Sequence, residues 1–239
     1  AAALVALSTT AIGYHRVAKE DTLLGLFLML LLLAAAEAKA AADDDRANDQ
    51  RRWQWIAAIS IGLMFASKYF FFFALVPVVL YVWMRRTGTR WHMPIRRWFA
   101  LVGIAFVVFA AINWTPFLPS SWAFGISYMR EQQTIHGSLP FMGTLYNNLP
   151  SYGLRGTPPW FYVVFTAVKL APPTVLAASL GLALAIGRRR PAHVVVLSWM
   201  AVWFLVFSVS GAKWGRFYQT VLPAFALLAG HAMERAFTW

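Results

Sequence analysis

The chain has 239 residues, of which 60% are hydrophobic and 13% charged, and this is too apolar for a soluble domain of that length. Its formal net charge is +12, but the arginines stand in short clusters between apolar runs, so the charge predicts membrane topology and no nucleic-acid partner. There is no Cys, which excludes disulfides, thiol catalysis and Cys-bound zinc.

The apolar runs predict an all-α bundle that crosses the bilayer about eight times, because a span needs roughly 17–25 apolar residues. Ala1 lies inside an apolar stretch with no basic region before it, so we expect a fragment of a longer protein rather than a natural start. Every segment is expected to be helical, since the backbone must pair within the hydrocarbon. The segments are 1–12, 22–38, 53–67, 69–83, 98–114, 160–186, 192–210 and 221–236.

The basic residues predict the orientation of these segments. When the eight segments alternate, the arginines of 46–52, 85–97 and 188–190 and Arg235 all fall on one face. An excess of Lys and Arg in short loops marks the cytoplasmic side. The sequence therefore predicts a multi-pass protein of the plasma membrane, with the polar linker 42–52 in the cytoplasm.

The opposite face carries the long connection 115–159, which is rich in Pro, Gly, Asn and aromatic residues. A connector of this length is functional or disordered, and its aromatic content favours a folded cap on the outer surface. We expect the cap to belong to one membrane domain over 1–239. The next segment, 160–186, is too long for one straight span and contains Pro172 and Pro173, so its first turns are expected to lie along the interface.

Ionisable residues at the outer ends of the segments are the candidate site residues, because charge at membrane depth is costly. They are mostly cations, and a cationic cavity with an aromatic rim suits the phosphate of a long-chain lipid. Asp21 has a plainer interpretation as a helix cap, and Lys68 as a snorkelling residue that ends a short span. Lys213 and Arg216, three apart, either clamp one phosphate from one helical face or anchor the interface.

The sequence predicts no metal or cofactor site, although it leaves a divalent metal open. His15 and His136 have no partner at the spacing of a motif such as HExxH. Neither a phosphate-binding GxxxxGK[ST] loop nor a nucleophile elbow occurs.

Four phrases in order resemble one known family. They are RVAKEDTLLGLFLMLLLL, WIAAISIGLMFASKYFFFFALVPVVLYV, GTPPWFYVVFTAVKLAPP and SGAKWGRFYQTVLPAFALLAG. The chain resembles bacterial protein O-mannosyltransferases and aminoarabinose transferases, which are membrane-embedded glycosyltransferases of the GT-C type. Such enzymes transfer a sugar from a polyprenyl-phosphate carrier to a protein or glycolipid acceptor at the outer membrane face, with inversion at the anomeric carbon.

The resemblance also implies roles for particular residues. Asp21 is the candidate catalytic acid, with Glu20 beside it as a competitor. The family's principal catalytic carboxylate lies in a first outer loop that would precede Ala1, so we expect this chain to lack it. The substrate-binding set predicted from the outer-face cations and from the family's carrier-phosphate group comprises Arg16, Lys68, His136, Lys169, Lys213, Arg216 and Tyr218.

Two other classes of protein compete with the enzyme. A transporter or flippase for a lipid-linked anion would use the same cationic cavity without chemistry, but no internal repeat supports it. A non-catalytic scaffold would scatter the outer cations in space. The enzyme hypothesis predicts that Asp21, Lys68, Lys213 and Arg216 converge although they are far apart in sequence.

Overall fold

The computed structural model describes residues 20–68, 73, 75, 76, 78, 79, 93–135, 137–188 and 191–237. These residues are almost entirely helical, which confirms the predicted all-α class. The predicted segment 1–12 and most of 69–83 lie outside them. The described helices are α1 (Glu20–Asp43), α2 (Ala47–Ser67), α3 (Ile95–Ile112), α4 (Pro119–Ile135), α5 (Phe161–Lys169), α6 (Pro172–Arg188), α7 (Pro191–Val209) and α8 (Leu222–Phe237), with 3-10 turns at Thr115–Phe117, Pro150–Arg155 and Gly215–Thr220 and strands β1 (Ser138–Phe141) and β2 (Thr144–Asn147).

Three of the described helices are long and apolar enough to cross a bilayer. They are α1 over Asp21–Asp43, the whole of α3, and α7 over Ala192–Val209. The apolar helix α6 is shorter. The chain is therefore an integral membrane protein, while the number of about eight crossings stays a prediction.

Helices α1 and α2 form an antiparallel hairpin with a short charged turn. Asp45 adopts a left-handed φ of 57° in this turn, and the guanidinium of Arg46 bridges Asp44 at 3.1 Å and Asp49 at 2.6 Å. Helix α1 extends past the predicted end at residue 38, because residues 34–42 are nearly all alanine, the residue with the highest helix propensity. Helix α2 begins at Ala47, so most of the predicted linker 42–52 is helical.

Helix α3 lies against α2 at a point of very close backbone approach. A Cβ at Gly62 would lie only 2.5 Å from the Ala105 carbonyl oxygen and 2.8 Å from Val108 Cβ. Arg97 at the start of α3 interacts electrostatically with Arg51 in the first turns of α2, so these two arginine clusters share one end of the bundle, as the orientation predicted. No side chain of α3 is buried, as expected for a helix that contacts α2 on one side and lipid on the others.

The C-terminal helices form a second packed group. A Cβ at Gly181 of α6 would lie 2.0 Å from the Leu228 carbonyl oxygen of α8, so these two backbones touch. Trp199 and Trp203 of α7 are fully buried, and Trp203 Nε1 donates a hydrogen bond to Thr220 Oγ1 at 2.8 Å. The 3-10 turn before α8 is thereby attached to α7 and also packs against α1.

The predicted segment 160–186 is two helices rather than one. Helix α5 ends at Lys169 and α6 begins at Pro172, with Leu170 in extended conformation between them. Proline lacks an amide hydrogen and disfavours the helical conformation in the residue before it, so the chain breaks at Ala171.

The connection 115–159 is folded, with a helix and a hairpin. Helix α4 is followed by strands β1 and β2, which pair antiparallel from Ser138 with Asn147 to Phe141 with Thr144. Met142 and Gly143 form the turn with φ of 49° and 80°, the left-handed pair that a two-residue hairpin requires. No alternation of apolar residues over these four-residue strands was long enough to predict them.

Candidate functional site

A buried ion pair joins α1 and α2 at the end of the hairpin opposite its turn. Lys68 Nζ donates to Asp21 Oδ1 although the two residues are 47 positions apart. The Asp21 side chain is completely buried, and the Lys68 side chain is 15% exposed. Burying a carboxylate is tolerated only when a charged partner compensates it, so this contact fixes the position of both groups.

The ring of Phe217 connects this pair to a second cation. Lys68 Nζ lies 5.1 Å from the centre of that ring, and the Arg216 guanidinium lies 5.6 Å from it. Arg216 is also 5.6 Å from the Trp214 ring. Cations at these distances are attracted by the ring face. The 3-10 turn Gly215–Thr220 therefore places Arg216 beside the Asp21–Lys68 pair, whereas Lys213 lies outside the turn.

The backbone before this turn is held by two side chains, Asn148 and Tyr162. Asn148 Oδ1 accepts from the Lys213 amide at 2.7 Å, and its Nδ2 donates to the Lys213 carbonyl at 3.2 Å. The Tyr162 hydroxyl accepts from the Trp214 amide and donates to the Trp214 carbonyl, each at 3.1 Å. Thr157 Oγ1 donates to Asn148 Oδ1 at 3.0 Å and orients the amide.

Glycines let the cap approach the same backbone. A Cβ at Gly156 would lie 2.6 Å from the Gly211 carbonyl oxygen, and a Cβ at Gly211 would lie 2.2 Å from the Leu149 carbonyl oxygen. The Thr157 amide donates to that Gly211 carbonyl at 3.1 Å. The cap and the connection from α7 to α8 are thus in direct backbone contact.

Lys213 is fully buried and its ammonium faces the end of α7. Nζ donates to the carbonyls of Ser208, at 3.1 Å, and Ser210. A cation at this place satisfies the last carbonyls of the helix and opposes the negative end of its dipole. Burial lowers the pKa of Lys213 to about 8. The ammonium is therefore charged below about pH 8 and loses its proton above it.

Tyr218 belongs to the turn Gly215–Thr220, and its ring packs among those of Phe165, Trp203 and Phe225. Burial raises the pKa of its hydroxyl, which therefore keeps its proton and stays a hydrogen-bond donor. The hydroxyl lies near Thr166 but makes no hydrogen bond of good geometry within the described part of the chain. Asp21 Oδ2 and Gln219 Oε1 are likewise buried without such a partner there.

The other predicted site residues are placed less closely. Lys169 is exposed at the end of α5, and Glu20 begins α1 next to Asp21. Arg16 and His136 lie outside the described residues. Among the residues that are described, no group of three or more acidic, His or Cys side chains could hold a metal ion.

Sequence reasoning did not single out Asn148, Thr157, Tyr162 or Phe217. Asn148 stands in the turn-like phrase NNLP and Tyr162 in an aromatic run, and both patterns are usual in membrane loops. Their partners are 65 and 52 positions away, so no local spacing could have indicated the hydrogen bonds.

The family model described as dolichyl-phosphate-mannose-protein mannosyltransferase matches residues 1–133, more than half of the chain and including Asp21 and Lys68. No curated protein and no solved structure matches the chain. The match gives the transporter alternative no support, and it does not confirm the aminoarabinose branch. The chain therefore belongs to the dolichyl-phosphate-mannose-protein mannosyltransferase family and is a membrane glycosyltransferase whose donor is a polyprenyl-phosphate-linked sugar.

Proposed function

We propose that this glycosyltransferase passes its sugar to a protein or glycolipid acceptor at the outer face of a bacterial plasma membrane, and that the carrier phosphate binds beside Lys68, Arg216 and Tyr218. The observation that supports this most is the convergence of the buried Asp21–Lys68 pair with Arg216 on the ring of Phe217. Elements from both halves of the chain meet there, at the end of the α1–α2 hairpin where the sequence predicts the outer leaflet.

The charges suit a departing phosphate. In the transfer, an acceptor hydroxyl attacks the anomeric carbon, its new C–O bond forms as the bond from that carbon to the phosphate oxygen breaks, and the carrier leaves as polyprenyl phosphate. Negative charge therefore grows on the phosphate in the transition state. Lys68 and Arg216 would neutralise this charge, and the protonated Tyr218 hydroxyl would donate a hydrogen bond to it.

Asp21 holds Lys68 in place and is itself almost inaccessible. We therefore assign it a supporting role, while the hydroxyl proton goes to a separate carboxylate, as the family resemblance implies. Glu20 is the alternative acid on the same turn. Arg16, His136, Lys169 and Lys213 complete the proposed binding set, with Lys213 contributing positive charge from behind the loop.

The test is a transfer assay with the full-length protein in proteoliposomes, using a polyprenyl-phosphate mannose donor and a Ser/Thr-rich peptide acceptor. Lys68→Met keeps the length of the side chain and removes its charge, and we expect it to lower donor kcat/KM by about 100-fold, as removal of a group that stabilises transition-state charge does. Lys39→Met is the matched control, because Lys39 is a buried lysine of the same hairpin at its opposite end.

The control should retain transfer within about twofold of wild type, since Lys39 pairs with Asp43 at the other end of the hairpin. Equal losses in both variants, or a loss of transfer in Lys68→Met that is matched by a loss of folded protein, would show that Lys68 acts through the stability of the hairpin. Wild-type protein that binds the donor but never releases its sugar to any acceptor would contradict the enzymatic proposal.

A further inference from the structure

The α7–α8 connection carries Arg216 and Tyr218, yet no regular element holds its first residues. Gly211 to Trp214 has neither helical nor strand structure. Residues in such a segment are normally the most variable in position, because few backbone hydrogen bonds restrain them. Here the amide and carbonyl groups of both Lys213 and Trp214 are paired with the side chains of Asn148 and Tyr162. The Trp214 carbonyl also accepts from the Phe217 amide at 3.0 Å.

We call Asn148 and Tyr162 the clasp. Asn148 is 1% exposed and Tyr162 is completely buried, so water does not compete for these hydrogen bonds. Each side chain binds the amide and the carbonyl of one residue, which belong to the two peptide groups on either side of its Cα, so the orientation of both peptide groups is restrained. The Lys213 ammonium also attaches this segment to α7, by donating to the Ser208 carbonyl.

Arg216 follows the clasped residues by only two positions and is largely exposed. Its guanidinium is located by the rings of Trp214 and Phe217, and Trp214 is itself clasped. An error of about 1 Å in the place of such a group weakens its effect on a bound anion strongly. The clasp thus determines where the second cation of the proposed phosphate site stands.

We infer that Asn148 and Tyr162 are positioning residues that hold Arg216 and Tyr218 at the carrier phosphate. This inference rests on the proposed function. Neither side chain needs to touch the donor. Through Asn148, the cap contributes to donor binding although it is distant in sequence from Arg216 and Tyr218.

Tyr162→Phe is the sharpest variant. It removes both hydrogen bonds to Trp214 and keeps the ring, which packs edge-on against Trp203 at 4.7 Å and Phe161 at 5.0 Å. We expect the donor KM to rise about 10-fold, the size expected from the loss of one or two hydrogen bonds, with the acceptor KM within twofold of wild type. Tyr152→Phe is the control, since Tyr152 is 43% exposed on the same cap.

Asn148→Ala is the second variant, and in it the Lys213 backbone loses both of its side-chain partners. A second readout is amide hydrogen exchange of 211–220 in the reconstituted protein. We expect exchange to accelerate by about 10-fold in both clasp variants and to be unchanged in Tyr152→Phe.

Donor and acceptor KM that rise equally would overturn the inference, as would unchanged donor KM in a variant with accelerated exchange. Unchanged exchange in Tyr162→Phe would show that the hydroxyl does not restrain the loop. Failure of the proposed function is distinguishable, because Lys68→Met would then leave the donor kcat/KM unchanged, whereas the exchange measurement still reports on the clasp.

Discussion

Helix α1 carries a lysine–aspartate pair at each end, and the two pairs differ in almost every physical respect. Asp21 and Lys68 join two helices across 47 positions, with side-chain exposures of 0% and 15%. Lys39 and Asp43 lie one turn apart on the same helix, and the aspartate is 42% exposed. The Lys39 ammonium meets both carboxylate oxygens, at 2.9 and 2.7 Å.

The difference shows that burial and sequence separation, rather than the chemical type of the pair, decide what an ion pair does. Removal of one partner of a buried pair leaves an uncompensated charge and costs about 3–5 kcal/mol. An i,i+4 pair on an exposed helix face contributes about 0.3–0.5 kcal/mol, and here water still solvates the Asp43 carboxylate although Lys39 is buried. The first pair can therefore organise a site, and the second is a local helix contact.

The largest expected effect comes from exchanging the members of the first pair. Asp21→Lys together with Lys68→Asp keeps one positive and one negative group in the interface, so we expect thermal stability in detergent to exceed that of either single variant. Transfer should remain reduced by about 100-fold or more, since a carboxylate then stands where the phosphate must bind. Unfolding curves and the proteoliposome assay measure the two quantities separately.

Recovery of transfer in the double variant would show that the pair is only a structural joint. A double variant less stable than both single variants would contradict the pairing itself.

A smaller effect should follow from the unusual pKa of Lys213. Burial lowers that pKa to about 8, so the ammonium is charged below this value and loses its charge as the pH rises through it. The carrier phosphodiester stays ionised throughout. We expect the donor KM of the wild-type protein to rise a few-fold between about pH 7 and pH 9.

Two variants at this position should each show a donor KM that does not change with pH, one low and one high. Lys213→Arg keeps its charge in this range and should hold the lower KM, whereas Lys213→Met should show the higher KM at every pH. A wild-type profile that the methionine variant reproduces would assign the pH dependence to another group.

The smallest expected effect concerns the more exposed ion pair, Lys39–Asp43. Asp43→Asn removes the charge opposite Lys39 but leaves an oxygen that can still accept a hydrogen bond. We expect the free energy of unfolding to change by less than about 1 kcal/mol and transfer to stay at the wild-type rate. A loss as large as that of Asp21→Asn would erase the distinction between the two pairs.

The membrane helices were the part of the fold that the sequence predicted well. The predicted segments 98–114, 192–210 and 221–236 agree with α3, α7 and α8 within three residues at each end, because continuous apolar runs between charged clusters have few alternatives in lipid. The break at Ala171 follows from Pro172, although its consequence of two separate helices was not anticipated.

The site was predictable only in its charges. Asp21, Lys68 and Arg216 are conspicuous because ionised groups at membrane depth need a reason, and the structure brings these three together at one end of the bundle. The position of the Lys213 ammonium on the α7 carbonyls was not foreseeable, since it depends on how the chain leaves that helix. Asn148 and Tyr162 act on backbone groups, which are the same in every residue and leave no pattern in the sequence.

The 65 positions between Asn148 and Lys213 also have a consequence for how the protein is made. Helices α5, α6 and α7 lie between the two residues, so the clasp cannot close until all three have left the ribosome. Contacts this distant in the chain form late, because the intervening segment must first be ordered. During biosynthesis the α1–α2 hairpin with its ion pair can therefore form early, and the proposed phosphate site is complete only when the C-terminal part of the chain has been made.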